Sequence, residues 1–126
     1  MKILWVTTKM FPEASRRLDI AGGVKGGWVT SMAESLIRSG KVNLAVACFY
    51  LGKEYRRFET ENYRFYLIPV KSLMVYRSFL AGYCKKVIDD FDPDLIHMHG
   101  TEYPPMYVFA DAGVGRKMVV SIQGLV

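Results

Sequence analysis

The chain has 126 residues, 51% of them hydrophobic and 23% charged, with no low-complexity tract and no internal repeat. That is one domain of ordinary size, with apolar mass enough for a core without disulfide staples or structural metals, and it excludes a disordered tail or a solenoid. Seventeen Lys and Arg against twelve Asp and Glu leave a formal charge of +5, which suits anionic ligands such as diphosphates, acidic lipid headgroups or nucleic acid without choosing among them.

Cys48 and Cys84 sit inside apolar patterns with no CxxC spacing, so they read as reduced core residues rather than a disulfide framework or a zinc cluster. Met1 runs directly into Lys2-Ile3-Leu4-Trp5-Val6, too short for the apolar segment of a signal peptide and followed by no cleavage-site pattern. No apolar run reaches the roughly 20 residues a membrane-spanning helix needs. The expectation is a cytoplasmic protein, with any membrane contact peripheral and at the inner face.

In chain order, residues 3–8 form a β-branched and aromatic run that reads as a strand buried on both faces. A long irregular segment follows from Lys9 to Gly27, a length that in a compact domain signals a binding role. From Trp28, apolar Val29, Met32, Ala33, Leu36 and Ile37 recur at helical spacing, and Gly40 ends the helix. Residues 42–49 and 63–70 read as the second and third strands, with a solvated charged stretch from Lys53 to Glu61 between them. Leu73, Tyr76, Leu80, Tyr83, Val87 and Phe91 mark a second long helix, stopped by Asp92-Pro93-Asp94, with its aromatics in the core. Residues 95–98 make a fourth strand, a short helix fills part of 104–112, and residues 118–122 make a fifth strand.

Strands separated by helices predict an α/β fold. The expected architecture is a Rossmann-like, mostly parallel sheet in the order 3-2-1-4-5, with helices on both faces and right-handed crossovers. Such sheets bind ligands beyond the carboxyl ends of their strands.

Three features gather at that edge. Gly22-Gly23-Val24-Lys25-Gly26-Gly27 lies just ahead of a helix, where free backbone N–H groups and the helix dipole favour a phosphate, and Lys9, Arg16, Arg17 and Lys25 add positive charge. Its glycine spacing is not that of the nicotinamide fingerprint; the other reading is a flexible turn. His97 and His99, two apart on a strand, project from one face with Met98 on the other. Beyond Glu102 or Asp94 no third metal ligand is nearby, and no metal is expected. His97 fits either a satisfied core histidine or a ligand contact, and His99 faces solvent or ligand. Gly100 permits close approach to the backbone, Thr101 can cap the next helix, and Gln123-Gly124 closes the fifth strand.

The segments Met1-Lys-Ile-Leu-Trp-Val, the delayed glycines before a helix, Pro93-Asp94-Leu95-Ile96-His97-Met98-His99-Gly100 and Val119-Val120-Ser121-Ile122-Gln123-Gly124 together resemble the N-terminal domain of family 4 retaining glycosyltransferases. The resemblance covers nearly the whole chain, and the histidine segment is its most specific part. It implies a two-domain GT-B enzyme, with the acceptor bound mainly by this domain and a nucleotide-sugar, UDP- or GDP-linked, held mainly by a C-terminal domain. On that view residues 1–126 are a single Rossmann-like domain, incomplete at its C-terminal end and inactive alone.

By the same resemblance His99 matches the catalytic histidine beside the donor sugar. Either Gly22-Gly23 or Gly26-Gly27 matches the glycines that approach the donor diphosphate, and Lys25 between them is assigned to the same group. His97, Thr101, Glu102, Gln123, Arg16 and Arg17 fall to the acceptor or sugar. Many relatives carry His-Gly where this chain has Gln123-Gly124, a neutral amide that hydrogen-bonds but cannot titrate. The implied acceptor is a glycan or a lipid-linked sugar, and no cofactor is implied.

The alternative is a non-catalytic α/β ligand-binding module or accessory subunit. Metal-dependent hydrolysis at the histidines is a third reading, and no nucleic-acid module is visible. The fifth strand is expected as a bare edge, so the chain is expected to self-associate through it or through the face a partner domain covers. Strictly monomeric elution at high concentration would contradict this.

Overall fold

Ile3, Leu4, Trp5 and Val6 are all buried, and the strand they form is an inner strand of the sheet. In the computed structural model, which describes residues 1–18, 27–61, 63–75, 77–100 and 103–121, this is β1 (Lys2–Thr7). After it come α1 (Pro12–Leu18), α2 (Gly27–Arg38), β2 (Asn43–Leu51), β3 (Arg56–Glu59), β4 (Arg64–Val70), α3 (Leu80–Phe91), β5 (Leu95–His99), α4 (Pro104–Ala112) and β6 (Met118–Ser121). The fold is α/β, with a mixed six-stranded sheet in the order β3-β4-β2-β1-β5-β6. The β1–β2, β1–β5, β2–β4 and β5–β6 pairings are parallel, and β3–β4 is antiparallel.

Side-chain alternation along β1 divides the core in two. Leu4 and Val6 point into a cluster built with Leu80, Cys84, Val87, Ile88 and Phe91 of α3 and Met106, Val108 and Phe109 of α4. Ile3 and Trp5 point the other way, into a cluster that includes Phe11, Ala14 of α1 and Ala33 of α2. Helices therefore cover both faces. Cys48 and Cys84 are both unpaired and buried, and burial pushes each thiol up to about 12, so they pack as small apolar groups.

Three departures from the expected elements have local causes. The charged stretch 53–61 is not simply solvated, because Arg56–Glu59 pairs antiparallel with β4. The five expected strands keep their relative order as β4-β2-β1-β5-β6, and β3 adds an unexpected antiparallel edge, so the sheet is six-stranded and mixed. Only Phe58 of that strand is buried, too little to print a period-2 signal, and its outward charges suit an edge strand. Inside the expected irregular segment, Pro12–Leu18 forms α1; seven residues are too few for a self-sustaining helix, so docking of Phe11 and Ala14 on the sheet carries it. The second long helix begins at Leu80, and turns occupy the residues described between Leu73 and Phe79.

The end of α3 follows the expected stop. Asp92 takes a left-handed conformation (φ 51°) and its N–H donates to the Ile88 carbonyl at 2.8 Å. Arg116 then ties the corner, donating to Asp92 Oδ1 at 2.8 Å and to the Pro93 carbonyl at 3.1 Å. Nearby, Asp90 Oδ2 accepts from the Tyr66 hydroxyl at 2.6 Å and from Arg57 Nε at 2.7 Å. Those two partners hold the Asp90 carboxyl below its ordinary range and join β3 and β4 to α3. Among the described residues no helix is long and apolar enough to cross a membrane.

Candidate functional site

The carboxyl ends of β1 and β5 lie side by side, with Trp5 opposite His97 in the register. Because residues two apart on a strand share a face, His97 and His99 both stand on the Trp5 side of the sheet. Their rings stack at 4.1 Å between centroids and 27° between planes. Trp5 closes the cluster, 4.3 Å from the His99 ring and 5.8 Å from the His97 ring. On the far side β6 pairs with β5, setting His99 opposite Ser121, and the Ser121 hydroxyl lies 2.6 Å from His97 Nε2.

Burial decides the electrostatics. His99 is only 6% exposed, and burial, reinforced by the adjacent His97, pushes its imidazole down to about 4. Burial also lowers His97. An imidazolium is disfavoured where water is excluded and a second ring of the same kind is in contact. At neutral pH His99 is thus a neutral ring with one donor and one acceptor nitrogen, suited to a hydroxyl rather than to an anion. His97 is half-buried and its Nε2 lies against the Ser121 hydroxyl, while His99, expected at the strand end to face solvent or ligand, is the more buried of the two.

The chain leaves β5 sharply. Gly100 has φ 94°, a conformation that side chains other than glycine's rarely adopt, and its N–H donates to the Ser121 carbonyl at 2.8 Å. At the end of β1 the buried Thr7 turns the chain by accepting the Lys9 N–H at 3.0 Å. The start of α2 belongs to the same edge. Its far end is fixed beside the beginning of β1, where the Met1 amino group donates to the Lys41 carbonyl at 3.2 Å and the Asn43 N–H to the Met1 carbonyl at 2.8 Å. Twelve helical residues rise about 18 Å, which carries the α2 N-terminus back toward the carboxyl edge.

Of the residues singled out in the sequence, His97 and His99 are brought together, and Gly27 opens α2. Arg16 is exposed on α1; Arg17 lies on the same helix with its side chain outside the described residues. Gly22, Gly23, Lys25, Gly26, Thr101, Glu102 and Gln123 also lie outside them. Two members of the cluster were not anticipated. Trp5 looks like any other residue of an apolar strand, and Ser121 is marked only as a polar residue closing the run Met118-Val119-Val120. Among the described residues, no group of three or more His, Cys, Asp or Glu side chains is placed to hold a metal ion.

Comparison with protein-family models, with curated proteins and with solved structures finds no match to this chain.

Proposed function

We propose that this chain is the Rossmann-like, acceptor-side half of a retaining GT-B glycosyltransferase, inactive without a donor-binding domain. The observation that carries the reading is His99, a neutral, buried imidazole held between Trp5 and His97 at the carboxyl edge of β5. Sugar hydroxyls are uncharged and need paired donors and acceptors in fixed positions. Both ring nitrogens of His99 are buried, so in this reading the carboxyl edge opens to the sugar, and the ring, held by two neighbours, then supplies donor and acceptor in a fixed orientation.

In this reading the bond that breaks joins the anomeric carbon to a diphosphate oxygen of a UDP- or GDP-sugar. The diphosphate leaves with the electron pair. The glycine segment 22–27 and the α2 N-terminus stabilise the charge that develops on it. His99 hydrogen-bonds the donor sugar. Arg16, Arg17, His97, Thr101, Glu102 and Gln123 serve the acceptor, a glycan or a lipid-linked sugar, at the inner face of the membrane. Self-association through the β6 edge belongs to the same reading: Val119 and Val120 there are 48% and 45% exposed.

The test is to titrate UDP, GDP and their sugars into this chain and into a protein continued through a C-terminal domain, with transfer assayed in both. Turnover is expected only in the longer protein. His99→Ala is expected to lower its rate roughly a hundredfold or more, the usual cost of one pre-organised hydrogen bond at a reacting centre. Turnover by the short chain, or full activity of His99→Ala, rejects the proposal. Ligand binding without transfer in either protein assigns the chain instead as a binding module.

A further inference from the structure

The same sheet edge carries a second feature, which the histidine site does not use. Where β2 ends at Leu51 and β4 at Val70, a cavity of about 780 Å³ opens beside the start of α3. Lys53, Lys71 and Arg77 line it, and among the described residues no acidic side chain does. All three cations are exposed, and among the described residues none is in an ion pair, whereas Arg57, Arg64 and Arg116 all are. Tyr83 forms part of the wall and is held by flat stacking on Tyr55, at 5.4 Å and 4°.

The second observation is apolar. Leu51 (65% exposed), Val75 (37%) and Phe79 (69%) also line the cavity, and Met74 (68%) adjoins Val75 on the same turn. Exposed apolar side chains scattered singly need no explanation. Three lining the cavity, with Met74 next to one of them in sequence and three cations that have no ion pair among the described residues, mark a contact surface.

We propose that this cavity binds the phosphate of an anionic lipid at a membrane surface, with Leu51, Met74, Val75 and Phe79 entering the interfacial hydrocarbon. A soluble phosphate would answer the cations and leave the apolar rim in water. An acidic bilayer offers both chemistries at once, phosphates for the cations and hydrocarbon a few ångströms deeper for the rim. The net charge of +5 favours the same encounter. This inference stands or falls independently of sugar transfer at His99.

Co-sedimentation of the full chain with vesicles of phosphatidylcholine, alone or mixed with phosphatidylglycerol, tests it. Binding is expected to the mixed vesicles only, and to be reversed by high salt. Each cation near an acidic surface is worth roughly fivefold in affinity, so the triple variant Lys53→Gln, Lys71→Gln, Arg77→Gln is expected to bind about a hundredfold more weakly. Phe79→Ser, at a side chain that is mostly exposed and therefore dispensable for folding, is expected to bind roughly tenfold more weakly with every cation retained. Circular dichroism of each variant should match the parent. Equal binding to neutral and acidic vesicles overturns the proposal, as does undiminished binding by the triple variant. Binding of glycerol phosphate without vesicle association assigns the cavity to a soluble phosphate and also overturns it. Absence of binding to any of these probes does the same.

Discussion

Replacing Trp5 by alanine is expected to lower the free energy of unfolding by about 3–5 kcal/mol, the range for removing a fully buried aromatic side chain. Trp5 is completely buried and packs on both His97 and His99. Its loss leaves a void where an inner strand meets α1, and the sheet cannot close over it without breaking the β1–β5 register. Trp5→Phe separates the volume from the polar atom. Among the described residues the buried Trp5 Nε1–H has no hydrogen-bond acceptor, and an unsatisfied buried donor costs about 1–3 kcal/mol. Phenylalanine removes that donor while keeping most of the ring, so its expected cost is below about 1.5 kcal/mol. Urea unfolding of the two variants beside the parent measures both. Equal losses in the two would show that the indole N–H contributes favourably and that the account of this cluster is incorrect.

Acidification is expected to remove roughly 3 kcal/mol of stability between about pH 6.5 and pH 4 through His99, from its displacement relative to an ordinary histidine. Its folded value of about 4 lies below the ordinary 6.5. Protons therefore bind the unfolded chain more readily. The favourable term is complete above 6.5, declines as the pH falls toward 4, and declines no further below that. His97, lowered by burial, acts in the same direction. Asp90 and Asp92 are also lowered, from 3.8, but the stability they confer is present above that value and is lost only at more acid pH. The limb between 6.5 and 4 thus belongs to the histidines. His99→Gln keeps a neutral hydrogen-bonding side chain and should flatten that limb. Denaturant midpoints across the pH range, with the His99 ring resonance followed by NMR, give the answer. Titration of that resonance near 6.5 would contradict the buried stack.

Much of the architecture was legible because its signals are local. The apolar runs near residues 3–8, 42–49, 63–70, 95–98 and 118–122 all correspond to strands, since a short run rich in β-branched and aromatic residues needs no distant information to be recognised. Arg56–Glu59 and Pro12–Leu18 were not legible as strand and helix. One supplies a single buried residue, Phe58, and the other is too short to persist without docking. Their structure comes from pairing and packing on the sheet. The early part of the expected second helix differs for the opposite reason: Leu73 falls on the helical stripe, yet Val75 and Phe79 near it are exposed at the cavity rim, and Met74 is exposed too.

The candidate site divides along the same line. That His97 and His99 share a face follows from strand geometry alone, because alternate residues always do. That the two rings stack, that Trp5 packs against His99 and that Ser121 reaches His97 depends on the parallel register of β1, β5 and β6, which no segment encodes by itself. The depressed imidazole values depend on it too, since burial is a property of the assembled layers. The cationic cavity is the extreme case: Lys53, Lys71 and Arg77 come from separate turns, and only closure of the sheet beside α3 puts them around one space. Element type follows from the spacing of neighbours along the chain. Chemistry at a site follows from which elements the folded sheet brings into contact and from how much water that contact excludes.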